Sequence, residues 1–183
     1  MANRCDLILL NSAQGGIDSV ITLEKHANRF SKNDQVIFLG TAGITGDDFV
    51  AGEIFQASFF RWTSIGLVLK KGFLPSFLLQ DIKAHKFSPG VRSLPVISAP
   101  EITADDRIAL LLHKQSGRCL ENLETYGIAR WLKSNDFSLS AFLSVTNRVG
   151  KQSHRQYLRH RKLAWLGLAE TICDIIKQTK YKD

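Results

Sequence analysis

Two mainly apolar runs, at residues 5–10 (Leu7–Leu10 after Asp6) and 35–40 (Val36–Leu39 after Gln35), bracket a stretch in which Ile17, Val20, Ile21, Leu23, Ala27 and Phe30 recur at helical spacing. Consecutive apolar residues without alternation suit a strand covered on both faces, and the spacing between the runs suits an amphipathic helix. Gly15-Gly16 breaks the chain before that helix, and Asn33-Asp34 supplies a turn after it. Strand, helix and strand in so short a stretch predict a βαβ unit, which requires parallel pairing and a right-handed crossover.

The rest of the chain extends this α/β reading. Residues 48–69 are rich in Val, Phe, Ile, Thr and Trp without a helical period, which predicts two or more strands of a curved sheet. Residues 70–100 hold all four prolines (Pro75, Pro89, Pro95 and Pro100), predicting loops with one short helical stretch at 75–83. Helices are predicted at 105–113 and 121–133, and a central strand at 139–145. A long helix is predicted at 153–177, where Tyr157, Leu158, Leu163, Leu166, Ile172 and Ile175 fall at helical intervals. With 183 residues and no repeat or linker, residues 1–183 are expected to form one α/β domain with a mixed β-sheet.

Composition narrows the class of function. An apolar fraction of 44% with 22% charged residues excludes a disordered or low-complexity chain. Cys5, Cys119 and Cys173 are widely spaced and form no CxxC pair, so neither a disulfide framework nor a metal site is expected. No segment has a signal-peptide core or the ~20 apolar residues that a membrane span needs, and the expected location is the reducing cytoplasm. The net charge of +7 favours anionic partners or is a solvated surface.

In open α/β sheets ligands lie beyond the carboxyl ends of the strands. Three polar, small-residue segments stand there: 11–16 (Asn-Ser-Ala-Gln-Gly-Gly), 40–44 (Gly-Thr-Ala-Gly-Ile) and 146–150 (Thr-Asn-Arg-Val-Gly). The second lets a ligand approach the backbone closely and offers N–H donors.

In combination these segments resemble the nucleoside phosphorylase/nucleosidase superfamily. Residues 39–44 are similar to its glycine-rich strand end, followed by the family-like Gly46-Asp47, Val50-Ala51 and Glu53. Residues 122–129 resemble the start of its ribose-binding helix, and residues 144–150 resemble the third strand end as it stands in the futalosine hydrolases. Order and spacing agree over residues 10–170. The resemblance implies a three-layer sandwich with a central mixed β-sheet flanked by helices, a homo-oligomer, no cofactor, and a small-molecule purine nucleoside as substrate. It also implies purine nucleoside metabolism and, through the futalosine hydrolases, menaquinone biosynthesis.

Roles follow residue by residue. The resemblance places Glu124 on the ribose hydroxyls, where a carboxylate stabilises the cationic sugar formed as the glycosidic bond breaks. Leu123 lies beside the ribose, the Thr41-Ala42-Gly43 turn shapes the floor, and Ile102 stands where the family stacks an aromatic on the base. Asn147 meets the purine where the nucleosidases carry an aspartic acid. An amide has no proton to release, yet its paired donor and acceptor suit a 6-oxopurine such as hypoxanthine. Phosphorylases of the family place an arginine just before the glycine-rich turn; residues 36–39 are Val-Ile-Phe-Leu, so water is the expected nucleophile.

Measured against the family, the sequence is expected to begin at the later strands, without the N-terminal strand that supplies the water-activating group. Asn122 and Leu123 stand where the family shows glutamate and methionine. Asp18, Glu53 and Glu101 are the carboxylates from which a rebuilt site would draw. The alternatives are a catalytically weak nucleoside-binding homologue, a nucleoside phosphorylase, and a nucleic-acid-binding module built on Lys151, Arg155 and Arg159 at i, i+4, i+8.

Overall fold

A computed structural model describes residues 8–78, 80–88 and 90–180. Its elements follow one another as α1 (Gly16–Lys25), β1 (Val36–Ile44), β2 (Ile54–Trp62), α2 (Ile65–Val68), β3 (Ile82–Lys83), β4 (Ser93–Ser98), α3 (Asp106–Ser116), β5 (Leu120–Glu121), α4 (Thr125–Ser134), β6 (Leu139–Arg148) and α5 (Ser153–Lys180). Single 3-10 turns stand at Ala27–Arg29 and Ser76–Leu78.

The described strands form one mixed sheet in the order β3–β2–β4–β5–β1–β6, and β6 also pairs with β2, so the sheet closes on itself. β6 is buried along its length except at Arg148, its serines, Thr146 and Asn147 included. It pairs in parallel with β1, from Val36 opposite Leu139 to Ile44 opposite Arg148, and antiparallel with β2 at Ile54 opposite Ser144. β2–β4 and β4–β5 are parallel, whereas β1–β5 and β2–β3 are antiparallel.

Helices flank this sheet. α5 lays Leu168 and Ile175 on Phe142, with Ile37, Leu39 and Ile54 around them. On another side, Ile128, Ala129 and Leu132 of α4 and Leu23 of α1 join the main core, edged by Phe30, which sits 5.6 Å from Trp131 and 5.7 Å from Phe137 between ring centroids. Val68, Ile97, Leu112 and Cys119 close a smaller core under α2 and α3. No helix among the described residues is long and apolar enough to cross a membrane.

Several elements differ from expectation. Ile8, Leu9 and Leu10 form no strand, with Leu9 79% exposed, and the remainder of that predicted strand lies outside the described residues. The parallel partner of β1 is instead β6, distant in sequence. Residues 48–69 hold one strand rather than two, because Ser64 caps α2 by accepting from Leu67 N at 3.3 Å. The proline-rich 70–100 segment contains β4. Pro95, which has no N–H to donate, sits where the β2 register skips from Ala57 opposite Leu94 to Phe60 opposite Val96.

Candidate functional site at the strand ends

Register brings Glu121, Gly43 and Asn147 side by side across β5, β1 and β6. Residues directly opposite one another project to the same face, so this row presents a carboxyl and an amide on either side of a bare glycine. The glycine is required: a Cβ on Gly43 would stand 2.7 Å from Asn147 Nδ2 and 3.0 Å from Val149 Cγ2. Residues 40–43, expected to form a turn, are the last part of strand β1, and Gly43 there lets the Asn147 amide lie over the strand backbone.

Asn147 is buried, and its amide is engaged. Oδ1 accepts from Thr146 Oγ1 at 2.8 Å, and Nδ2 donates to Arg148 O at 3.2 Å. Ala42 is buried beneath, its carbonyl 3.3 Å from the Thr146 hydroxyl.

A second network joins β1 to α4. Asn122 donates from Nδ2 to Thr41 O at 3.1 Å, while its Oδ1 accepts from Glu124 N at 3.0 Å and Thr125 N at 2.9 Å. That side chain caps α4, which is why the helix starts at Thr125 rather than at the expected Glu121. Glu124 is half-buried at the helix start, and its Oε1 accepts from Gly15 N at 2.9 Å. Gly15 adopts a positive φ of 80° immediately before α1, so the carboxylate ties the first polar segment to the other two. The end of β4 joins as well, with Ser98 Oγ 3.1 Å from Thr125 Oγ1 and accepting from Tyr126 N at 3.0 Å.

Glu121 is the residue that sequence reasoning missed, since it was assigned to a helix. Its signal was a lone carboxylate directly after the apolar Cys119-Leu120. It is 7% exposed and its carboxylate accepts from Thr103 N at 3.3 and 3.4 Å. Burial raises its pKa above the ordinary carboxylate value; the Thr103 hydrogen bonds oppose that shift and the charge of Glu101 adds to it. Thr103 O in turn accepts from Gly150 N at 3.2 Å, while neighbouring Ile102 is 54% exposed.

The other expected carboxylates serve elsewhere. Glu53 pairs with Arg92 and lies 3.8 Å from Arg118. Glu101 accepts from Ile65 N at 2.7 Å, at the start of α2, and Asp18 is exposed in the first turn of α1. Lys151 lies before α5, so the expected basic stripe on that helix reduces to the exposed Arg155 and Arg159. Among the described residues no cluster of His, Cys, Asp or Glu is placed to hold a metal.

Open volume lies on the Gly15 and Leu123 side of the site. A cavity of about 710 Å³ between α1 and α4 is lined by Leu123 and Gly15, the neighbours of Glu124 in sequence and in hydrogen bonding, and runs on past Tyr126, Gly127 and Arg130.

No protein-family model and no curated protein sequence matches the chain. Solved structures do match in shape. The 5′-methylthioadenosine/S-adenosylhomocysteine nucleosidase of Colwellia psychrerythraea 34H, in complex with adenine, superposes with a TM-score of 0.76 at 14% identity, covering 91% of this chain and 76% of that one. The futalosine hydrolase of Helicobacter pylori strain 26695 superposes at 0.77 and 13% identity, over 91% and 77% of the two chains. The corresponding nucleosidase of Neisseria meningitidis, in complex with methylthio-immucillin-A, gives 0.74 and 14% over 91% and 79%. The mixed sheet, its flanking helices and these superpositions identify the architecture of the chain as the nucleoside phosphorylase/nucleosidase fold.

Proposed function

We propose that this protein is an N-ribosyl hydrolase that releases a hypoxanthine-type purine from a nucleoside such as futalosine. The observation that carries the reading is the juxtaposition of the Glu121–Gly43–Asn147 row with Glu124, through the Asn122 link to Thr41. In this reading Glu124 holds the ribose hydroxyls and stabilises the positive charge that develops on the sugar as the bond to the base lengthens. Asn147 exchanges its bonds to Thr146 and Arg148 for bonds to the leaving base. An amide orients the base but releases no proton, so the proton comes from Glu121, the buried carboxyl of the same row, whose pKa burial raises. Ile102 covers the base. With Val-Ile-Phe-Leu at 36–39 in place of a cationic clamp, water is the nucleophile.

A second reading keeps nucleoside binding and removes turnover. It is favoured by the Asn147 amide already being bonded to Thr146 and Arg148. Incubating the protein with futalosine, inosine and methylthioadenosine, with and without phosphate, separates the two. Base release that needs no phosphate, with preference for the 6-oxopurines, is the expected result. Release only with phosphate overturns the hydrolase reading. Binding of hypoxanthine without release supports the second.

A further inference from the structure

We infer that the outer face of α5 docks on an anionic lipid surface, lying along the bilayer without crossing it. This inference does not depend on the hydrolase reading. One side of α5 is buried, with Ala164, Leu168 and Ile175 inside and the last two packed on Phe142 of β6. At 3.6 residues per turn, Leu158, Lys162, Trp165 and Leu166 stand together on the opposite side. Leu158 and Trp165 are each 49% exposed and Leu166 is 65% exposed. Indole and aliphatic surface thus faces water where the outer side of a surface helix is ordinarily polar. Leu163 widens the patch towards the loop between β1 and β2: a Cβ on Gly52 would come 3.1 Å from Leu163 Cγ, and Val50, two residues earlier, is exposed.

Cations border this apolar stripe. Arg155 and Arg159 fall one turn apart on one flank, Arg161 lies on the other, and Lys162 stands within it; all four are exposed. Among the described residues none of the four has an ion-pair or side-chain hydrogen-bond partner. No acid occurs between Lys151 and Ala169, and Glu170 is the first on α5. Of the two acids in the neighbouring loop, Asp47 pairs with Arg148 at 2.9 Å and Asp48 is exposed, where water and salt screen it.

Charge complementarity and the apolar centre together select the occupant. A second copy docked by a two-fold axis would set these arginines against themselves. A nucleic acid would match the cations, yet its phosphates offer nothing to Leu158, Leu163 and Leu166. A bilayer with anionic headgroups satisfies both parts. Arg and Lys meet the headgroups, Leu158 and Leu166 reach the acyl boundary, and the Trp165 ring sits at the level between them.

In flotation assays the full chain is expected to bind vesicles of phosphatidylcholine with about one-third phosphatidylserine, and not phosphatidylcholine alone. Trp165 emission should shift to the blue on binding, and Trp165→Phe should lose that shift. Arg155→Gln with Arg159→Gln is expected to weaken binding roughly 25-fold, about fivefold per cation, and high salt should weaken the wild type likewise. Leu158→Ser with Leu166→Ser changes exposed side chains only and should keep the wild-type circular dichroism while losing about tenfold or more in affinity. No binding to the anionic vesicles, or equal binding to both compositions, overturns the inference. Full vesicle affinity in the leucine variant overturns it as well. So does tighter binding of a DNA or RNA oligonucleotide than of the vesicles, which would make nucleic acid the occupant. A dimer in sedimentation that the leucine variant dissociates would make a second copy the occupant and equally overturn it.

Discussion

At the strand ends, polar side chains converge and bond one another; along the α1–α4 groove, the walls are mainly apolar. The two regions meet at Gly15 and Leu123 yet obey different energetics. A ligand at the strand ends exchanges hydrogen bonds for hydrogen bonds, and each exchange nets little because Asn147, Glu124 and Glu121 already have partners. A ligand in the groove removes apolar area from water, worth about 25 cal/mol per Å². The strand ends are thereby suited to orient and discriminate, and the groove to supply affinity.

The largest effect expected at the strand ends comes from Glu124. Glu124→Ala removes both the charge and the acceptor for Gly15 N, whereas Glu124→Gln removes the charge and keeps an oxygen for that bond. Both variants are expected to lower turnover by about 100-fold or more. In urea unfolding Glu124→Ala is expected to lose about 1 kcal/mol and Glu124→Gln less than about 0.5. Full turnover in Glu124→Gln would reduce the carboxylate to a tie between α1 and α4.

Asn147→Asp tests how firmly the strand-end amide is held by its two hydrogen bonds. The substitution places a carboxylate oxygen where Nδ2 now donates to Arg148 O, in a buried position. A loss of about 1–3 kcal/mol at neutral pH is expected. Burial and the facing carbonyl hold the new carboxyl above its ordinary pKa, so the loss shrinks as pH falls and the group takes up its proton. Denaturation midpoints at neutral and acid pH measure this, and equal stability to wild type at both would show that the amide is free to turn.

What the sequence made legible follows from locality. β6 and α5 were readable because a short segment of mainly apolar residues and a helical period are local signals. The glycine-rich segment 40–43 was readable as a close approach, although not as the end of a strand approached by Asn147 itself. β4 was hidden because Pro95 reads as a loop until the irregular register of β2 accommodates it. Glu121 was hidden because two residues of strand between β1 and β4 carry no period, and only the Asn122 cap shows that the helix begins later. The groove had no local signature, since its walls come from both helices, the end of β2 and the loop after β4.

On the groove side, Gly127→Ala sets helix propensity against packing. In an open helix alanine is favoured over glycine by about 1 kcal/mol. At this position its Cβ meets Gly16 O at 2.9 Å and Val20 Cγ2 at 3.3 Å, and the first is backbone that cannot swing aside. The close contact is expected to win, giving a net loss of about 1 kcal/mol in urea unfolding. A stabilised variant would mean that the two helices are not held by this contact.

The smallest effect is a slope, and it sharpens the comparison most directly because it reads a buried polar group without disturbing its shape. Burial raises the Glu121 carboxyl above its ordinary range, so the folded state holds its proton more tightly than the unfolded chain does. Stability should then be greatest below the unfolded-state value. It should fall as pH rises through the ordinary glutamate range up to the raised folded value, by at most about 1.4 kcal/mol per pH unit for one proton. Glu121→Gln keeps an acceptor for Thr103 N and cannot titrate, so the slope should flatten across that window. If wild type and Glu121→Gln give parallel profiles, the Thr103 hydrogen bonds offset burial, and Glu121 is an ordinary ionised tie between β5 and its neighbouring loop rather than a proton store.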